Sequence, residues 1–155
     1  MNRFYHLKVT VCGELDDETQ IVNTHVHPPI VEEIGLEIDW WPLDDLSATF
    51  PIHFVTERLK SLMAYEGFMN VRFTPIRRVK LGYNFLENYG RPTLPPFWLV
   101  KFSGVAGTDD FGLWENRKLI VSQKGLDFLR DNHVTHAEAI ALKGFSEDGL
   151  QFDKK

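Results

Sequence analysis

Apolar and polar residues alternate from Phe4 to Val11, with Tyr5, Leu7, Val9 and Val11 on one side, as in a half-buried strand. The polar run CGELDDET reads as a turn, and QIVNTHVH resumes the alternation until Pro28 and Pro29 stop it. The two segments therefore predict an antiparallel hairpin. The next stretch, IVEEIGLEIDWWPLDDLSATF, supports two readings: a short strand from Leu36 to Trp40 ended by a turn at Pro42, or a helical turn at LDDL. On a strand, Trp40 and Trp41 point to opposite faces, which leaves one of them near the surface or in a groove.

The period then changes from two to 3.6. Thr56 follows the apolar pair Phe54 and Val55 and precedes ERLKSLMAYEGF, where Leu59, Leu62 and Met63 recur at helical spacing and Gly67 supplies a stop. Thr56 is an N-cap by residue type, and Glu57 suits the positive end of a helix. NVRFTPIRRVKLGYNFL reads as a strand with Pro75 at an edge or bulge. RPTLPP is a loop, FWLVKF a strand and SGVAGTDDFG a glycine-rich turn.

A second copy of the strand and capped helix follows. RKLIV leads to Ser122 at the N-cap position and QKGLDFLRDN as the helix. Phe128 and Leu129 follow Leu62 and Met63 at the same offset that separates Ser122 from Thr56. Beyond the helices Val134 answers Phe68, while Ala137 and Ala139 answer Val71 and Phe73. Two local rules conflict here: THAE at Thr135 to Glu138 is a capping-box pattern that predicts a helix, whereas the repeat predicts a strand in AEAIALKGF. The strand is the expectation adopted. The fold class predicted is α+β, a mostly antiparallel sheet with two amphipathic helices packed on it. Residues 1–155 form one globular domain, with a strand-helix-strand unit repeated at about 51–80 and 117–145.

At 155 residues and 18.0 kDa, with 43% hydrophobic and 25% charged residues, the chain has enough material for a core without staples. The lone Cys12 fits a reducing compartment. The amino terminus interrupts its apolar run at Lys8 and turns acidic soon after, unlike a signal peptide, so a cytoplasmic location is expected. The net charge of −5 hides an asymmetry. Residues 1–50 hold ten acids against two bases, residues 51–101 three against eight, and the remainder nine against seven. An acidic first third repels phosphate backbones and attracts a basic partner.

Candidate chemistry is sparse. His25 and His27 at i, i+2 and His133 and His136 at i, i+3 form the only pairings that resemble a metal site, the basis of an alternative reading as a metal-dependent hydrolase. Cys12 lacks a neighbour that would activate it, and no GxSxG elbow occurs. GVAG at Gly104 to Gly107 is too short for a nucleotide fingerprint and runs into Asp109 and Asp110. Asp153 and Lys155 have nuclease-like spacing but sit at the tail. RFTPIRRVK places Arg72, Arg77, Arg78 and Lys80 beside Phe73 and Tyr83, a basic and aromatic stripe of the kind that tracks nucleic acid, although arginines on a strand commonly pair with acids across the sheet.

The stretch FPIHFVTERLKSLMAYEGFMNVRFTPI, about a fifth of the chain, resembles a segment of the small immunity proteins of bacterial polymorphic-toxin systems. There an apolar strand leads into a Ser/Thr-Glu-basic-x-Leu helix and then a Val-x-Phe-x-Pro strand; the matching residues are Val55, Thr56, Glu57, Arg58 and Leu59, then Val71, Phe73 and Pro75. The resemblance implies a cytoplasmic, non-enzymatic protein that binds and blocks a cognate toxin domain. The expected partner is therefore a basic protein such as a nuclease toxin, with no cofactor, nucleic acid or membrane, and the oligomeric state stays open. The candidate partner surface is the acidic and aromatic set Glu14, Asp16, Asp17, Glu18, Glu32, Glu33, Trp40, Trp41, Asp44 and Asp45. A self-associating structural module is a third reading.

Overall fold

The computed structural model describes residues 3–23, 30–32, 34–115, 117–146 and 149–152. It is an α+β fold in which antiparallel pairing dominates. Strands β6 (Leu46–Thr49) and β7 (Ile52–Thr56) form a hairpin that runs into helix α1 (Glu57–Glu66) and strand β8 (Val71–Ile76). Strand β10 (Phe97–Phe102) inserts between β7 and β8, giving the sheet order β6-β7-β10-β8. A second hairpin, β11 (Phe111–Trp114) and β12 (Lys118–Ser122), runs into α3 (Gln123–Asp131) and β13 (Glu138–Ser146). There β1 (Phe4–Lys8) takes the inserted place, and β14 (Gly149–Phe152) extends the order to β11-β12-β1-β13-β14.

The two units coincide in register. Val100 of β10 faces His53 and Phe73; Leu7 of β1 faces Leu119 and Ala139, which stand at the repeat offset from those two residues. The cap contacts repeat as well. Thr56 Oγ1 accepts from the Leu59 amide at 3.3 Å and donates to Asp45 at 2.7 Å. Ser122 Oγ accepts from the Gly125 amide at 3.0 Å and donates to Asp110 at 2.5 Å. Each hydroxyl thus satisfies one amide that a helix start leaves open. The first amide of each helix donates to the residue before the inserted strand, Glu57 to Pro96 and Gln123 to Arg3. Even the helix stop is matched: Gly67 has φ 73°, and its counterpart His133 holds φ 72° without being glycine.

Residues from both units build one shared core. Leu59 and Met63 of α1 and Leu126 and Leu129 of α3 join Val55, Val100 and Phe102 of one sheet and Leu7, Leu119 and Val121 of the other. The opposite face of the β6-β7-β10-β8 sheet carries Ile52, Phe54, Ile76, Phe97 and Leu99 into a second core. That core is closed by a small sheet of β2 (Gly13–Leu15), β5 (Gly35–Ile38) and β9 (Arg78–Leu81), in which β5 and β9 are parallel, and by α2 (Tyr83–Tyr89). Strands β3 (Gln20–Asn23) and β4 (Ile30–Glu32) form a two-stranded ribbon. Among the described residues no helix is long and apolar enough to cross a membrane.

Several local expectations are corrected. The first strand ends at Lys8 and pairs with β12 and β13, not with the segment after it. Pairing with strands near the other end of the chain carries no local signal, whereas a nearby alternating segment offers a false one. Residues within the expected turn CGELDDET form β2. The predicted strand through NVRFTPIRRVKLGYNFL divides into β8, β9 and a third helix, α2. That helix escapes prediction because it is short, has no side-chain cap and buries a single residue, Phe85. In the conflict at THAE the strand prevails, since β13 begins at Glu138.

His53 of β7 lies edge-on to Phe102 at 5.5 Å between ring centres, and burial pushes its pKa from 6.5 down to about 4. The unfolded chain therefore binds the proton more readily. Stability from this group is complete above pH 6.5 and falls as the pH drops toward 4. At about 1.4 kcal/mol per unit the ceiling is about 3 kcal/mol, and residual contact with solvent reduces the expected loss to about 2 kcal/mol. Denaturant titrations at pH 7 and pH 4 should show this loss, and His53→Leu should remove it. An unchanged pH slope in the variant would exclude His53 as the cause.

Candidate functional site

The segment Asp39 to Asp45 leaves β5 and runs to the start of β6. Strand geometry ends at Ile38, so the alternation that would bury one tryptophan no longer applies. Trp40 is 51% exposed, Trp41 43% and Leu43 59%. Trp41 stacks on Phe85 of α2 with ring centres 6.0 Å apart and planes 18° apart, and Tyr89 lies against both rings. Beside it opens a groove of about 330 Å³ lined by Trp41, Pro42 and Leu43 together with Leu94, Pro95 and His133. Asp44, Asp45 and Thr56 line it as well.

The acids of this region divide sharply. The Asp44 side chain is wholly buried; its carboxylate accepts from the backbone amides of Thr135, His136 and Ala137 at 3.0–3.2 Å, and the His136 ring Nδ1 lies 3.0 Å away. These amides precede β13, and a side chain from the distant β5–β6 connection satisfies them, which is why the THAE box starts no helix. Asp45 holds the Thr56 hydroxyl and an Arg58 guanidinium nitrogen at 2.8 Å. Asp44 and Asp45 therefore organise the joint between the two units. A partner can reach neither the buried Asp44 carboxylate nor the lone pairs Asp45 has already committed.

Asp16 is withdrawn in the same way. Its side chain is 1% exposed and forms a two-pronged pair with Arg78, Nε to Oδ2 at 2.6 Å and Nη2 to Oδ1 at 3.0 Å. The Arg78 guanidinium, together with the Thr19 hydroxyl, holds the carboxyl well below the usual carboxylate range against the cost of burial. The pair passes so close to β5 that a Cβ on Gly35 would meet Asp16 Oδ2 at 2.1 Å, which accounts for glycine there. Glu18 also approaches Arg78, and Asp17 and Glu18 share Lys80 at 3.4 and 3.6 Å. Much of the charge asymmetry seen along the sequence is thus cancelled in space. Glu14 remains exposed, in a cluster with Glu37 and Asp39 whose oxygens lie within 4.8 Å of one another. For Glu32 only the backbone, in β4, is described; Glu33 lies outside the described residues.

The histidine site expected by the alternative reading is not assembled among the described residues. His25 and His27 lie outside them, His136 is engaged by Asp44, and His133 faces the groove. The set of three metal-type donors that does come together, Glu14, Glu37 and Asp39, is all carboxylate, an oxygen set suited to hard cations rather than to zinc. Cys12 is buried against Ser47, and desolvation pushes its thiol up, so it is a weak nucleophile. Of the basic and aromatic stripe, Arg78 and Lys80 are paired with acids, and Phe73 packs into the shared core.

Leu94, Pro95 and Tyr89 escape the sequence reading because the groove joins segments far apart along the chain. The duplicated Asp-Asp pair, LDDL at 43–46 and TDDF at 108–111, is a usable signal. No protein-family model matches this chain, and no curated protein matches it.

Proposed function

We propose that the chain is a non-enzymatic binding protein of the immunity type, which neutralises a cognate toxin domain by seating it on the aromatic groove. One observation carries this reading: the two units of the fold serve as controls for each other. Both need the Asp-Asp pair and the hydroxyl cap, and both have them. Where the first unit leads into its pair with Trp40-Trp41-Pro42-Leu43, the second uses Val105-Ala106-Gly107-Thr108. The repeated scaffold therefore does not require Trp40 or Leu43, whereas Trp41 also covers Phe85 of α2, a helix the second unit lacks. Two adjacent exposed tryptophans with an exposed leucine beside a groove form an apolar patch of the kind that marks an interface, with tryptophan its usual anchor.

A basic partner is supported by Asp39, which immediately precedes Trp40 and concentrates negative potential with Glu14 and Glu37. Asp17 and Glu18, although shared with Lys80, add to the same side. The acidic set is thus narrower than the sequence suggested, with Asp16, Asp44 and Asp45 serving the fold.

The test co-expresses the full chain with the product of the neighbouring reading frame, which on this reading is expected to end in a basic toxin domain. Wild-type protein is expected to restore growth and to bind the purified domain. Trp40→Ala and Leu43→Ser, both at exposed positions, should retain the fold and weaken binding by about 2 kcal/mol, or some thirtyfold, mainly through faster dissociation. Equal affinity in both variants would overturn the groove as the contact, and failure of the wild type to bind would overturn the toxin reading.

A further inference from the structure

Arg72 and Lys101 lie directly opposite each other across the β8–β10 ladder, so their side chains leave the sheet on the same face. Both are exposed, and neither forms an ion pair among the described residues. Like charges placed opposite one another destabilise a sheet. The equivalent place in the second unit shows what the scaffold otherwise uses: Lys8 faces Glu138, an opposite-charge pair. Lys101 and Lys8 correspond, whereas Arg72 stands where the second unit has an acid.

Next to this pair is a concavity of about 670 Å³ lined by the exposed Thr74, Pro75, Arg77 and Lys101 and by Ile34, Ile76 and Leu99, whose burial makes them its aliphatic floor, Ile76 and Leu99 fully and Ile34 half-buried. Arg78 on one wall is already held by Asp16, leaving Arg72, Arg77 and Lys101 as the cations that lack a described acid. We propose that this face binds an acidic segment of a partner polypeptide, its carboxylates paired with Arg72, Arg77 and Lys101 and its apolar side chains on the aliphatic floor.

The floor decides between an acidic peptide and a nucleic acid. Single strands are held by aromatic platforms on which bases stack. Phe73, the aromatic residue of β8, points to the opposite face and into the shared core. An aliphatic floor with a cationic rim fits alternating carboxylate and apolar side chains instead. Pro75 withholds an amide from β8, so the segment is held by side chains rather than added as a further strand.

The proposal is independent of the toxin reading, since it concerns a different face and a partner of opposite charge. Its test is fluorescence anisotropy of the full chain with a labelled peptide of alternating glutamate and leucine, with a labelled uridine oligonucleotide and unlabelled inorganic phosphate as comparisons. Saturable peptide binding that weakens as salt rises is expected. Arg72→Glu, which recreates the Lys8–Glu138 arrangement, should lower peptide affinity at least tenfold while raising Tm. If that variant fails to fold, Arg77→Gln, outside any strand, is expected to reduce binding in the same direction. Absence of saturable peptide binding, affinity unchanged in the folded variants, or preference for the oligonucleotide or for phosphate would each overturn the proposal.

Discussion

Asp44→Ala is expected to cost about 4 kcal/mol of folding stability, a large fraction of what a domain of this size possesses. The Asp44 carboxylate has no exposed surface and accepts three backbone N–H groups from Thr135, His136 and Ala137, with the His136 ring as a fourth contact. Hydrogen bonds to a charged group are worth about 1.5–3 kcal/mol each, and donors left unsatisfied inside the protein cost about 1–3 kcal/mol each. Water reaching the half-exposed His136 recovers part of this, which brings the sum down to about 4 kcal/mol. Asp44→Asn keeps one acceptor oxygen and should lose about half as much. The second unit provides the control. Asp109, the counterpart of Asp44, accepts from Val105 and Asn70 at an exposed site, so Asp109→Ala should cost less than about 1 kcal/mol. Urea unfolding of the three variants checks the ranking. A loss at Asp44 no larger than that at Asp109 would show that the amides before β13 find other partners.

The same aspartate marks the boundary of what could be read along the chain. The helices α1 and α3 and their caps were legible because a 3.6 period and a hydroxyl before it act within a single turn of chain. The echo of Thr56 and its helix in Ser122 and its helix was legible because it repeats those local devices. The role of Asp44 was not, since the backbone it binds lies in the other unit, 91 to 93 residues further along the chain. Nor could charge counted by thirds reveal that Asp16, Asp17 and Glu18 meet Arg78 and Lys80, because the parallel pairing of β5 with β9 brings them together. The tryptophans were half legible. Their conflict on a strand predicted one near the surface or in a groove, but the strand stops at Ile38 and both side chains remain open to solvent.

Phe111→Ala should cost about 4 kcal/mol and do so for both units at once. Phe111 belongs to β11 of the second unit yet is fully buried against the first: it meets Phe68 edge-on at 4.9 Å and stacks on Phe102 at 5.5 Å with planes 21° apart. Truncating a buried phenylalanine costs about 3–5 kcal/mol in transfer and cavity terms, and two aromatic contacts keep the value off the bottom of that range. Leu46 occupies the corresponding place in the first unit and is also buried, but it makes no such ring contacts, so Leu46→Ala should cost about 3 kcal/mol. Because α1, α3 and both sheets share this core, unfolding followed by circular dichroism and by tryptophan fluorescence should give coincident single transitions in wild type and variants. The fluorescence reports both units, since Trp40, Trp41 and Trp98 lie with the first and Trp114 with the second. Separate transitions in Phe111→Ala would mean that the two units hold together through the Asp44 joint rather than through the core they share.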